Sequence, residues 1–124
     1  MPIEPYPDFA DLTWLFEVEP TLLDPDLGWP ISEAVWQVER GDWKVEIRIG
    51  VYDYLVEISC HHLSAAALHV RLNGIVRELT IDRTKSEEAL VITPAASAGL
   101  HPVRLTLKPS VRLYVENRLP WEDP

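Results

Sequence analysis

From Ala34 onward the apolar residues of this chain recur at every second position and almost nowhere at the spacing of a helix face. A period of two is what a strand needs to bury one face and wet the other, so the pattern commits most of the chain to sheet. Two hairpins can be registered residue by residue. With Gly41 and Asp42 at its tip, one sets Glu39 opposite Lys44, Val38 opposite Val45 and Trp36 opposite Ile47, so charges and apolar partners both match. In the other, Leu68 to Leu72 runs into Asn73-Gly74, a pair that accepts the positive φ of a type I′ turn, and returns as Ile75 to Leu79. That register faces Leu72 with Ile75, Leu68 with Leu79, His69 with Glu78 and Arg71 with Val76. It leaves Arg77 on the apolar face, where a long stem lets the guanidinium snorkel at a sheet edge.

The phase slips once. Trp43, Val45, Ile47 and Ile49 share a face, but Tyr52, Tyr54, Val56, Ile58 and Cys60 alternate on even positions, which requires a turn or bulge near Gly50. Further strands are expected at Leu12 to Val18, where Leu12, Trp14, Phe16 and Val18 alternate, and at Ala89 to Thr93, Val103 to Leu107 and Val111 to Glu116. In that reading Trp14, Trp36 and Trp43 belong to the core. Eight to nine short strands separated by Gly, Pro and Asn specify an all-β fold, an antiparallel β-sandwich or partly open barrel with little or no helix. A chain of 124 residues, 47% hydrophobic, fits one such domain over 1–124. Open sheet edges offer a route to a homodimer.

The charge has one address. Met1 to Glu39 carry nine carboxylates and no Lys or Arg, and the eleven acidic residues that follow are matched by eleven basic ones, so the formal charge of -9 arises in the first third. This Pro- and Trp-rich segment, 1–39, is expected to be integrated into the sandwich, since it contains the alternation at Leu12 to Val18 and the start of the Trp36 hairpin. Its longest irregular stretch, Glu19 to Ser32, holds Pro20, Pro25, Pro30 and Gly28, which exclude a long helix or a central strand. Loops of that length are either functional or ordered covers over a sheet. The short tail, 119–124, repeats the same chemistry, with Trp121 between Pro120 and Glu122.

An acidic chain without a Lys/Arg cluster is repelled by polyphosphate and by acidic membrane surfaces, so neither nucleic acid nor membrane is an expected partner. The N-terminal residues lack the positive end and apolar run of a signal peptide, and no stretch approaches the roughly 18 apolar residues of a membrane span; a soluble, cytoplasmic protein is expected. A lone cysteine, Cys60, excludes an intrachain disulfide and agrees with a reducing compartment.

Chemistry-bearing patterns are few. Cys60-His61-His62, with His69 and His101, is the one grouping that suggests a metal or a thiol nucleophile, but adjacent strand residues point to opposite faces and no zinc-ligand spacing is present. Cys60 reads better as a small buried hydrophobe. There is no Gly-x-Ser-x-Gly elbow and no Gly-rich phosphate loop, so neither a cofactor nor a metal is expected and enzymatic activity is not the favoured reading. Arg40-Gly41-Asp42 spells an adhesion tripeptide, but its Gly and Asp already have a turn to make.

Trp29 and Trp121 differ from the other tryptophans in standing beside proline in irregular segments with carboxylates nearby. Trp and Tyr anchor protein interfaces, so Asp24, Asp26, Trp29, Glu33 and Trp121 form the candidate partner-binding set. The function expected is a protein-interaction module showing an acidic, aromatic-dotted surface to a basic protein. Small acidic bacterial proteins that neutralise basic toxins, immunity proteins and inhibitors, share this compositional character. The alternative is a sandwich that stacks carbohydrate or another small ligand on Trp29, Tyr52, Tyr54 or Trp121.

Overall fold

The computed structural model describes residues 2–63 and 67–115. Among these, nine strands form two antiparallel sheets, preceded by one short helix, α1 (Phe9–Phe16). The first sheet runs β1 (Thr21–Leu22), β2 (Ala34–Arg40), β3 (Trp43–Gly50), β4 (Leu55–His62), β5 (Ala67–Leu72). The second runs β6 (Val76–Arg83), β7 (Glu88–Pro94), β8 (Val103–Lys108), β9 (Arg112–Tyr114). Each strand pairs with its neighbour in sequence, and neither sheet closes into a barrel. The inner faces share one apolar cluster: Trp36, Val38, Val45, Ile47, Ile49 and Ile58 from the first sheet, and Leu79, Leu90, Ile92, Val103, Leu105 and Leu107 from the second. Complete burial of side chains of this size contributes about 1.5–3 kcal/mol each.

The β2–β3 hairpin has the expected register, with Glu39 opposite Lys44, Val38 opposite Val45 and Trp36 opposite Ile47. The phase slip after Gly50 is a single 3₁₀ turn over Val51–Asp53, closed by Tyr54 in the left-handed region at φ 52. Beyond it Val56, Ile58 and Cys60 are buried, while Tyr52 stands exposed on the turn itself.

Two expectations are overturned. Leu12 to Val18 is no strand: Phe9 to Phe16 is helical, and Trp14, assigned to the core by alternation, points into solvent. The segment satisfies both periods, since Leu12, Leu15 and Phe16 also share one helical face, and that is the face buried. Leu68 to Leu79 is no hairpin either. Asn73-Gly74 does not form the type I′ turn, since Gly74 is left-handed at φ +77 but Asn73 is not, and the chain passes there from the first sheet to the second. β5 pairs instead with β4, setting Leu68 against Cys60 and Val70 against Ile58, and β6 pairs with β7, setting Leu79 against Ile92. These pairings match apolar residues as well as the expected hairpin did.

The polar side chains follow. His69 faces Ser59 rather than Glu78, and its Nε2 lies 2.6 Å from Glu57 Oε2, with Arg71 joining the same carboxylate at 3.7 Å. Arg77 occupies a bulge between Val76 and Glu78, so Val76 and Leu79 are both buried while Arg77 stays outside. Its guanidinium lies 4.6 Å from the centre of the Tyr54 ring and donates to the Gly74 carbonyl at 3.2 Å.

Candidate interaction surface

The acidic third is laced onto both sheets. The Ile3 amide donates to the Val51 carbonyl at 2.9 Å, the Glu4 amide to Arg77 at 2.8 Å, and the Leu79 amide to Pro5 at 2.9 Å. Asp8, extended at ψ 151, then opens α1, with Asp11 in the first turn where the helix dipole favours negative charge. Leu12, Leu15 and Phe16 face inward, and the helix stops at Glu17, left-handed at φ 60. Two cations hold that stop. Arg40 donates to the carbonyls of Leu107 at 2.7 Å and Phe16 at 3.4 Å and lies 3.5 Å from Glu17, while Lys108 reaches Glu17 and Glu88 at 2.8 Å each. The Lys108 hydrogen bond and charge, with Arg40 nearby, hold the Glu17 carboxyl below its ordinary value; the two carboxylates in turn raise Lys108.

The irregular stretch that follows is an ordered cover. Trp29 lies edge-on to Trp36 at 5.8 Å between ring centres, with Phe9 and Tyr6 each 6.2 Å from it. Phe9 and Phe16 complete the cluster over Trp36 at 6.1 and 5.3 Å. Trp29 is therefore half-buried, a packing residue within an aromatic cluster. Ser32, buried, fastens the loop: its Oγ accepts from the Asp24 amide and donates to the Glu33 carbonyl, both at 2.9 Å. Asp24 Oδ1 accepts from the Asp26 amide at 3.2 Å, the side-chain turn for which Asp is suited.

What this framework displays is charge without countercharge, interleaved with apolar side chains. Every described Lys and Arg except Arg77 and Lys85 lies within ion-pair distance of a carboxylate. In the acidic third, Glu17, Glu33 and Glu39 are neutralised in this way. Glu4, Asp8, Asp11, Glu19, Asp24 and Asp26 are exposed and have no cation among the described residues. Beside Asp24 and Asp26 the loop presents Leu23, Leu27 and Ile31, each more than half exposed, and α1 presents Trp14 at 68% exposure. Exposed apolar side chains rimmed by charge mark interaction surfaces.

The candidate residues thus have different fates. Asp24 and Asp26 are on the open loop, Trp29 is beneath it, and Glu33 is bound by Arg48, whose Nε donates at 3.0 Å. Trp121 lies outside the described residues. Trp14, Leu23, Leu27 and Ile31 were not singled out by sequence; the start signal Pro7-Asp8 before Phe9, with apolar residues at Phe9, Leu12 and Phe16, is the cue that would have exposed Trp14.

The histidine-cysteine group does not converge. Cys60 is buried, and burial pushes its thiol above the ordinary value; His61 is exposed, and His62 packs edge-on against Trp43 at 4.7 Å. No cluster of metal-ligating side chains occurs among the described residues. A cleft of about 610 Å³ opens between the sheets, lined by Trp43, Cys60, Leu68, Val111 and Leu113, with Glu87 bound to Arg104 and Arg112 at its rim. No described helix is long and apolar enough to cross a membrane.

No protein-family model matches the chain, and no curated protein matches it. Among solved structures, the fold is similar to that of a chain in the contact-dependent growth inhibition toxin–immunity protein complex from Klebsiella pneumoniae 342, with a TM-score of 0.73 and 14% identity, covering 94% of this chain and 98% of that one.

Proposed function

We propose that this chain is a protein-interaction module of the immunity-protein kind, which binds a basic protein through the surface of its acidic third. The observation that carries the reading is the uncompensated set Asp8, Asp11, Glu19, Asp24 and Asp26, fixed on an ordered helix and loop beside exposed apolar side chains. Fixed negative potential speeds the encounter with a basic partner and rejects acidic ones, while apolar side chains between the charges supply contact area. The fold likeness to a chain of a toxin–immunity complex supports the same reading. Stacking of sugars has less to stand on, because Arg77 lies over the ring of Tyr54 and Trp29 packs against Tyr6, Phe9 and Trp36, which leaves Tyr52 as the exposed ring of that set among the described residues.

The test is affinity capture from a lysate of the native host by the immobilised chain, followed by co-expression of the chain with each captured protein. A basic protein held at about 50 mM salt, released at about 500 mM, and rendered harmless to its host by co-expression is the expected result. Capture indifferent to salt, or mapped away from residues 1–39, contradicts the proposal.

A further inference from the structure

The outer face of α1 has a shape of its own. Ala10 and Asp11 precede Trp14 by four and three residues, and Glu17, at the stop of the helix, follows it by three, all opposite the buried Leu12, Leu15 and Phe16. Trp14 therefore stands with one carboxylate a turn before it and another a turn after. Its indole borders an open hollow of about 620 Å³, lined also by Phe9, Ala10, Thr13, Glu17 and Glu19.

We infer that this hollow is the docking point for a guanidinium or ammonium side chain of the basic partner, an arginine above all, which stacks on the Trp14 indole while Glu19 faces its charge and Asp11, on the other flank of the indole, adds to the negative potential. The inference rests on the reading of the chain as a module for a basic partner and names where on the acidic third the contact is made. Charge complementarity sets the occupant. Asp11 and Glu19 have no cation among the described residues, and Glu17, although held by Lys108, remains exposed. An exposed indole attracts a cation through the negative face of its ring, and arginine, planar and weakly hydrated, both stacks on it and forks toward carboxylates. An acidic or purely apolar partner would leave these carboxylates desolvated without compensation. Trp14 also suits an anchor mechanically: the helix beneath it is fastened at its end by Arg40 and Lys108, so little order remains to be imposed on binding.

The experiment titrates the full chain, labelled with ¹⁵N, with a short arginine-rich peptide at low salt, and compares Trp14→Ala, Trp14→Phe and Asp11→Lys. Trp14 is exposed, so its substitution shifts the melting temperature by no more than about 2 °C and folding does not confound the result. The expected outcome is that the indole N–H signal of Trp14 moves while that of buried Trp36 does not. Affinity falls about fivefold in Trp14→Ala, less in Trp14→Phe, and further when Asp11→Lys is added, and a lysine-rich peptide binds more weakly. Peptide binding that moves the Asp24 and Asp26 amides and leaves the Trp14 indole in place overturns the inference but not the proposed function. Absence of binding by either peptide at low salt counts against both.

Discussion

The Arg48 guanidinium grips the Glu33 carboxylate with two donors, Nε to Oε1 at 3.0 Å and Nη2 to Oε2 at 3.3 Å. Glu33 closes the Pro-rich loop and Arg48 lies near the end of β3, so the fork ties the loop to the sheet. Gly50, two residues further along β3, lies so close that a Cβ there would stand 2.9 Å from Glu33 Cγ.

That geometry predicts coupling. Glu33→Gln weakens a half-exposed bidentate pair and lowers stability by about 1 kcal/mol, or about 4 °C in Tm. Gly50→Ala pushes the Glu33 side chain aside and removes the same bond, so the double substitution Glu33→Ala with Gly50→Ala costs less than the sum of its parts. A double-mutant cycle by chemical denaturation measures this; strict additivity contradicts it.

The cations at the end of α1 predict the pH response. Hydrogen bonds and charge from Lys108 lower Glu17 and Glu88, and Arg112 with Arg104 lowers Glu87. A carboxyl lowered in the folded state contributes its full stability above its ordinary value of 4.5 and loses it as pH falls through the lowered folded value. Lys108 is raised, so its contribution is full below 10.5 and is lost as pH rises beyond it. Lys108→Met should therefore flatten both the acid and the alkaline limbs of Tm against pH. An unaltered acid limb would show that Glu17 and Glu88 draw little from Lys108.

Much of the sheet was legible because period two is a local property: β2 and β3 pair as expected to the residue, since their tip, their charges and their apolar partners agree. What sequence did not reveal is which strands meet when several partners are equally apolar. Leu68 matches Cys60 as well as it matches Leu79, and Asn73-Gly74 turns the chain equally well within a sheet or between two. The helix was hidden by degeneracy, because Leu12 and Phe16 satisfy periods of two and of four at once. That single ambiguity moved Trp14 from core to surface. The acidic charges were legible as a count, but their lack of countercharge emerged only when the cations were seen to be engaged elsewhere.

Trp29 and Trp14 should part company under substitution. Trp29 packs on Trp36, Phe9 and Tyr6, so Trp29→Ala opens a gap beneath the loop and costs about 3 kcal/mol, toward the lower end for a large aromatic because Trp29 is only half-buried. Trp14→Ala, on an exposed face, stays within about 0.5 kcal/mol of the parent. Urea denaturation followed by circular dichroism measures both; equal costs would mean that Trp14 is packed as Trp29 is.

Asp24 and Asp26 test the electrostatic half of the proposed function separately from the contact half. Substitution by asparagine removes two charges yet keeps an oxygen where Asp24 accepts from the Asp26 amide, so the loop retains its turn and Tm changes by no more than about 2 °C. Long-range attraction acts on encounter, whereas close contacts act on residence. The pair Asp24→Asn and Asp26→Asn should therefore slow association with the captured basic partner by about threefold at low salt and weaken its salt dependence, with dissociation nearly unchanged. Surface plasmon resonance across a salt series separates the two rates. A change confined to dissociation would place these carboxylates in direct contact, and no change in either rate would move the docking surface off the loop and leave α1 to carry it.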